Sequence, residues 1–268
     1  MKYLKTVSHL LQIVMTPLRS NWAFFTFIYL LGCICAWVTL PDARGAKLYD
    51  NLYPELFLDV YVLATILTIL PRRVKPWIRG FFYFVLYTAA VVDVYCFVKF
   101  QSTLTPTMLL LVGETDSREA GEFIRSCVSP DILMSGVGWV LLLMAVHILT
   151  AIKLRFPHFV PRNWCRLVRS ILVQSRFFLH RVRHVTEFAV LALLVFSIVM
   201  SAHNKAATLK LMTGKTIGDV EHTLTEKDHA VLYQPIYRLV FSIYANTLTA
   251  KQVDKLIATA DKVRVDSC

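Results

Sequence analysis

Acidic side chains are scarce in this chain. Its 268 residues include 18 Asp and Glu against 29 Lys and Arg, a formal net charge of +11. No acid falls between residues 153 and 184, where Lys153, Arg155, Arg162, Arg166, Arg169, Arg176, Arg181 and Arg183 crowd together. Charged residues of all kinds make up only 18% of the chain, against roughly a quarter in soluble domains. Hydrophobic residues make up 56%, and the mean hydropathy is +0.54. That balance excludes an ordinary soluble domain and points to a membrane protein.

Other patterns are missing too. A basic soluble chain would suggest nucleic acid, but no nucleic-acid-binding module is visible. The Lys and Arg lie between apolar runs, where they set topology instead. Cys33-x-Cys35 has neither His nor acid beside it, so it makes no metal chelate. Cys33, Cys35 and Cys96 lie in apolar segments and fit as small core residues. Cys127 and Cys268 fall outside those segments and can be oxidised if exported, in a pairing the sequence leaves open. The apolar run at 10–15 is short and no small-x-small cleavage site follows it. Residues 1–20 therefore read as an amphipathic cytoplasmic lead-in rather than a signal peptide.

What is present is a series of apolar segments. Residues 22–40 carry no charge and reach the roughly 20 residues a crossing needs. Trp22, Tyr29 and Trp37 suit interfacial or packing roles. A second segment spans 54–70, with Glu55 expected at headgroup level and Asp59 left open. A third spans 80–100 and holds Asp93, a buried acid that needs a partner, for which Lys99 is a candidate. A fourth spans 132–152, where Gly136 and Gly138 permit close helix packing. His147 near its inner end fits hydrogen-bonded structure better than a ligand role. A fifth spans 187–202.

The expected fold is thus an all-α membrane protein with five transmembrane helices. The N-terminus, the loop at 71–79 and the loop at 153–184 carry the dense Lys and Arg, whereas 41–53 and 101–130 hold two basic residues each. The positive-inside rule places the first set in the cytoplasm and the second outside. Residues 1–202 form the transmembrane domain, and the tail 203–268 is a linker on the outside. In the tail, 234–246 is too short and broken by Arg238 to cross, and reads as a helix lying on the surface. Thr249 and Gln252 have capping-box spacing, which predicts a second amphipathic helix carrying Val253, Leu256, Ile257 and Ala260 on one stripe.

The most polar run in the apolar region is Gly113-Glu114-Thr115-Asp116-Ser117-Arg118-Glu119-Ala120-Gly121-Glu122-Phe123. Asp116 can cap a helix with Glu119 three residues on, and Ala120, Phe123, Ile124 and Cys127 then share a face. A short interfacial helix on the outer surface, between the third and fourth crossings, is expected. Capping alone accounts for an acid at position 119.

The layout and two patches resemble the membrane half of bacterial phosphoethanolamine transferases. Thr115, Glu119 and Ala120 match their Thr-x-x-x-Glu-Ala element, and Gln234-Pro235-Ile236-Tyr237-Arg238 through Tyr244 is similar to the segment before their catalytic domain. The resemblance implies a sulfatase-like catalytic half with a Thr nucleophile and zinc, absent from this chain, so no catalytic residue, metal ligand or cofactor is expected here. A donor set of His222, Asp228 and His229 is conceivable on paper, but it lies in a polar linker. The resemblance also implies that this half anchors the enzyme in the inner membrane as a monomer. It would present phosphatidylethanolamine for transfer to lipid A or a related glycan. In that role Glu119 contacts the ethanolamine head group, Thr115 belongs to the same element, and Arg118 or Arg125 holds the phosphate. Two other classes compete. A small transporter would use Asp59 and Asp93, although no inverted repeat is visible. A scaffold would bind a partner through the tail helices.

Overall fold

The computed structural model describes residues 2–39, 52–114, 130–155, 183–214, 219–220 and 232–266. Among these it is all-helical, with no strand. In order come α1 (Lys2–Ser20), α2 (Trp22–Thr39), α3 (Leu52–Ile69), α4 (Lys75–Phe100), α5 (Pro106–Glu114) and α6 (Pro130–Leu133). Then follow α7 (Gly136–Arg155), α8 (Arg183–Met212) and α9 (Pro235–Asp266).

Four helices are long and apolar enough to cross a membrane: Trp22–Thr39, Leu52–Ile69, Lys75–Phe100 and Val185–Ala207. Gly136–Ile152 is a shorter apolar helix. Large apolar side chains point outward from these helices, among them Trp37, Ile69, Trp77 and Phe84. In water that surface would be a liability, and in a bilayer it is the expected exterior. The chain is a multi-pass membrane protein.

Hydroxyls in these helices follow the same logic. Thr39, Thr65, Thr68, Thr150 and Ser197 each donate to the carbonyl four residues back, at 2.7 to 2.8 Å. That local bond lets a polar side chain sit in hydrocarbon without an outside partner.

Packing divides the chain into two compact units. The first comprises Met1–Cys33, Tyr49–Phe84 and Trp139–Ala207. Its core is aromatic: Phe24 lies 5.2 Å from the Tyr83 ring and Phe25 meets Phe57 edge-on at 5.2 Å. His147 stacks on Phe27 at 4.3 Å and meets Tyr83 edge-on at the same distance, a structural setting as its sequence position suggests. Helix α1 packs on α3, and Tyr61 donates to the Val14 carbonyl at 2.9 Å. Buried Asn21 joins α1 to α2 and donates to the Ala64 carbonyl and the Thr68 hydroxyl of α3, at 3.1 and 2.9 Å.

The second unit comprises Ile34–Leu48, Val85–Gly138 and Thr208–Cys268. Helix α4 ends at Gln101, whose φ of 54° is the left-handed turn that stops a helix. Helix α5 starts on Thr105, whose hydroxyl accepts from the Met108 amide at 3.3 Å, with Pro106 at the first helical position. Helix α9 packs on α5, and Asn246 donates to the Pro106 carbonyl at 3.1 Å.

Three boundaries differ from the sequence reading. The fourth apolar segment is not one helix: the chain turns at Met134 and Ser135 between α6 and α7. Helix α8 runs a full ten residues beyond the expected end at 202, to Met212. The tail carries one 32-residue helix over 235–266 rather than two. Thr249 lies inside it, because nothing from Ala245 to Ala250 breaks a helix and capping-box spacing also arises mid-helix by chance. The interfacial helix expected around 116–127 lies outside the described residues, as do Cys127 and Cys268.

The two glycines act differently. A Cβ on Gly136 would sit 2.5 Å from Cγ1 of Val38 on α2, so that glycine admits a close approach of two helices. A Cβ on Gly138 would sit 1.9 Å from the Leu133 carbonyl oxygen, so it serves the α6–α7 turn rather than a neighbouring helix. Gly138→Ala should therefore destabilise the protein by about 1–3 kcal/mol, and Val38→Ala should not relieve it. Gly136→Ala should cost less in the Val38→Ala background than alone, read as thermal unfolding midpoints in detergent.

Candidate functional site

The charge that interrupts the tail's apolar run turns out to organise the second unit. Arg238 is 4% exposed and Asp93 is fully buried. Arg238 Nη1 donates to Asp93 Oδ2 in a direct ion pair across 145 residues of sequence. Asp93 lies on α4, about two turns before its end. Lys99, the partner expected from sequence, is exposed. It is displaced by an arginine that the sequence reading had left at the membrane surface.

The pair is part of a closed network. The other oxygen of Asp93, Oδ1, accepts from the Leu104 amide at 3.0 Å, which fixes the chain between α4 and α5. Arg238 Nε donates to the Leu232 carbonyl at 2.7 Å and ties down the entry to α9. Its two terminal nitrogens both approach the Thr39 hydroxyl at 3.4 Å, at the last residue of α2. Arginine suits this place because its planar fork presents donors in several directions at once, which lysine does not. One side chain therefore meets the end of α2, the latter part of α4 and the start of the tail helix, and through Asp93 the α4–α5 connection.

One group in the network's neighbourhood is unpaired. Ser242, one turn after Arg238 on the same face, is fully buried and its hydroxyl has no hydrogen-bond partner among the described residues.

The first unit holds further polar contacts of its own. Glu55, expected among the head groups, is only 3% exposed, and its Oε2 accepts from Asn204 of α8 at 2.8 Å. Lys205 donates to the buried Ser201 hydroxyl at 2.8 Å on the same stretch. Near the other end of α8, Glu187 is buried and accepts from Arg19 of α1 at 2.6 Å. Glu55, Asp93 and Glu187 thus each find a donor on another element, as the low dielectric demands.

The residues singled out from sequence fall elsewhere. Thr115, Arg118, Glu119 and Arg125 lie outside the described residues, and so do His222, Asp228 and His229. What is described is the approach to the polar run: α5 ends at Glu114, immediately before Thr115, and is held by α9. Among the described residues no group of three or more His, Cys, Asp or Glu is placed to hold a metal ion. Cys33 is half-buried, and Cys35 and Cys96 are buried. The sequence reading missed Arg238 as a site residue. The signal was present in a lone cation at a helical position between apolar neighbours, with a lone membrane acid far upstream.

The chain matches no protein-family model, no curated protein and no solved structure.

Removing one partner leaves the other charge buried, so Arg238→Ala or Asp93→Ala should each cost about 3–5 kcal/mol. The combined Asp93→Leu, Arg238→Met variant should recover most of that loss, measured as unfolding in detergent. Ser242→Ala should be neutral or stabilising, since it removes a buried hydroxyl without a partner.

Proposed function

We propose that the chain is the anchoring and lipid-presenting membrane domain of a phosphoethanolamine transferase. The enzyme would move phosphoethanolamine from phosphatidylethanolamine to lipid A or a related envelope glycan. The observation that carries this reading is the Arg238–Asp93 network, taken with the resemblance of the segment around it. A tail that only tethered a partner would need no buried ion pair. A tail that must hold a catalytic body in register with a lipid does. Helix α5 leads in sequence directly into the polar run that begins at Thr115, and α5 is packed by the tail helix that Arg238 anchors.

In this reading Glu119 pairs with the ethanolamine ammonium and Arg118 or Arg125 with the phosphate, while Thr115 belongs to the same element. Zinc, which the resemblance assigns to the sulfatase-like half, finds no donor set among the described residues. A transporter would use two membrane acids, Asp59 and Asp93. Both oxygens of Asp93 are engaged in structural bonds, which leaves that acid poorly suited to carry an ion.

The domain is taken to cross the bacterial inner membrane five times, with the N-terminus in the cytoplasm and the tail in the periplasm. Support for α7 as the remaining crossing, the fourth in chain order, comes from its apolar stretch Gly136–Ile152, whose His147 packs against Phe27 of α2 and Tyr83 of α4.

Two measurements test the reading. In nanodiscs holding equal phosphatidylethanolamine and phosphatidylglycerol, the protein should retain the former preferentially. Glu119→Gln should weaken that preference about tenfold or more, the worth of one charge-assisted bond. Equal retention of both lipids by the unaltered protein contradicts the lipid-presenting role. On a background without native cysteines, an impermeant maleimide should label Lys251→Cys in intact spheroplasts and Arg73→Cys only after permeabilisation. Labelling of both under the same condition means an even number of crossings between them and the tail's placement is wrong.

A further inference from the structure

The inward face of α9 is explained by Arg238, but its outward face is not. Pro235, Arg238, Ser242 and Ala245 are buried on one side of the helix. On the opposite side Val240, Ile243 and Tyr244 are 58%, 49% and 60% exposed. These are three large apolar side chains at helical spacing, and Thr247 continues the stripe. From Pro235 to Ala250 the only charged residue is Arg238 itself, and charges resume at Lys251, Asp254 and Lys255.

The depth of this helix follows from what holds it. Its inward anchor reaches Asp93, about two turns inside the end of the membrane-spanning α4. The same guanidinium touches Thr39, the last residue of the membrane-spanning α2. A guanidinium reaches only a few ångströms beyond its own helix, so the first turns of α9 lie level with the ends of those crossings. At that level the outside of the protein is already lipid-facing, as the exposed Trp37 on α2 indicates.

We propose that Val240, Ile243 and Tyr244 form a lipid-contacting face, covered by acyl chains of one leaflet. The first three turns of α9 are then half-inserted in the bilayer, and the helix leaves it near Lys251. Arg238 makes this geometry affordable, because the one charge in the inserted stretch faces protein rather than hydrocarbon. Tyr244 suits the boundary, with its ring among chains and its hydroxyl toward head groups. This inference rests on the multi-pass membrane character and on the Arg238 anchor. It does not rest on which lipid, if any, the protein presents.

The test places a nitroxide on single cysteines at Val240, Ile243, Tyr244 and Lys251, each made separately in the full chain on a cysteine-free background. Each variant is reconstituted in phosphatidylethanolamine and phosphatidylglycerol vesicles, and collision with oxygen is compared with collision with a water-soluble nickel chelate. Oxygen should dominate at Val240→Cys, Ile243→Cys and Tyr244→Cys, and nickel at Lys251→Cys. Nickel dominance at the first three overturns the proposal in favour of a water-facing helix. Low collision with both reagents there overturns it in favour of a protein partner or a second copy. Arg238→Lys in the Ile243→Cys background supplies an independent check: a weakened anchor should shift that site toward nickel. An unchanged ratio would mean that Arg238 does not set the depth.

Discussion

A full charge in hydrocarbon must be matched by another and by hydrogen bonds that use its remaining valences, or the segment that carries it does not stay there. Asp93 and Arg238 meet that condition together. Asp93 uses both oxygens, one on the guanidinium and one on the Leu104 amide. Arg238 extends its other nitrogens to Leu232 and Thr39. The cost of burying the two ions is offset only because every one of these contacts is made. The end of α2, the latter part of α4, the α4–α5 connection and the start of α9 therefore hold each other in place.

The same constraint explains quieter features. Threonines in the membrane helices turn their hydroxyls back on their own backbone. Glu55 takes its donor from Asn204 and Glu187 from Arg19, each across to a different helix. Helices in lipid gain little from hiding apolar surface from one another, so close packing and polar contacts carry more of the association. The aromatic cluster around Phe24, Phe25 and Phe57 and the close approach at Gly136 supply the first. The acid–donor pairs supply the second.

Much of the fold was legible in the sequence. Apolar runs near crossing length gave α2, α3, α4 and α8, since length and apolarity are local properties. Partnerships were less legible. Lys99 is close to Asp93 in sequence and Arg238 is not, yet burial selects by position in space. The separate tail helix expected after Thr249 failed for a related reason: a capping pattern marks a start only where something interrupts the helix before it. Glu55 was assigned to the head groups because it sits near a segment end, and its donor on α8 carried no mark that the spacing of residues could reveal. The polar run with Thr115, Arg118, Glu119 and Arg125 lies outside the described residues.

Arg238 ties the tail helix to α4 and to the end of α2. Hydrogen–deuterium exchange over α9 tests it most directly, in the protein reconstituted in nanodiscs. Amides from Ile236 to Asn246 should be strongly protected and those after Lys251 less so, and Asp93→Asn should release the protection of the first group while leaving α3 unchanged. If residues 236–246 exchange as freely in the unaltered protein as in Asp93→Asn, the tail is not held by this pair and the account fails.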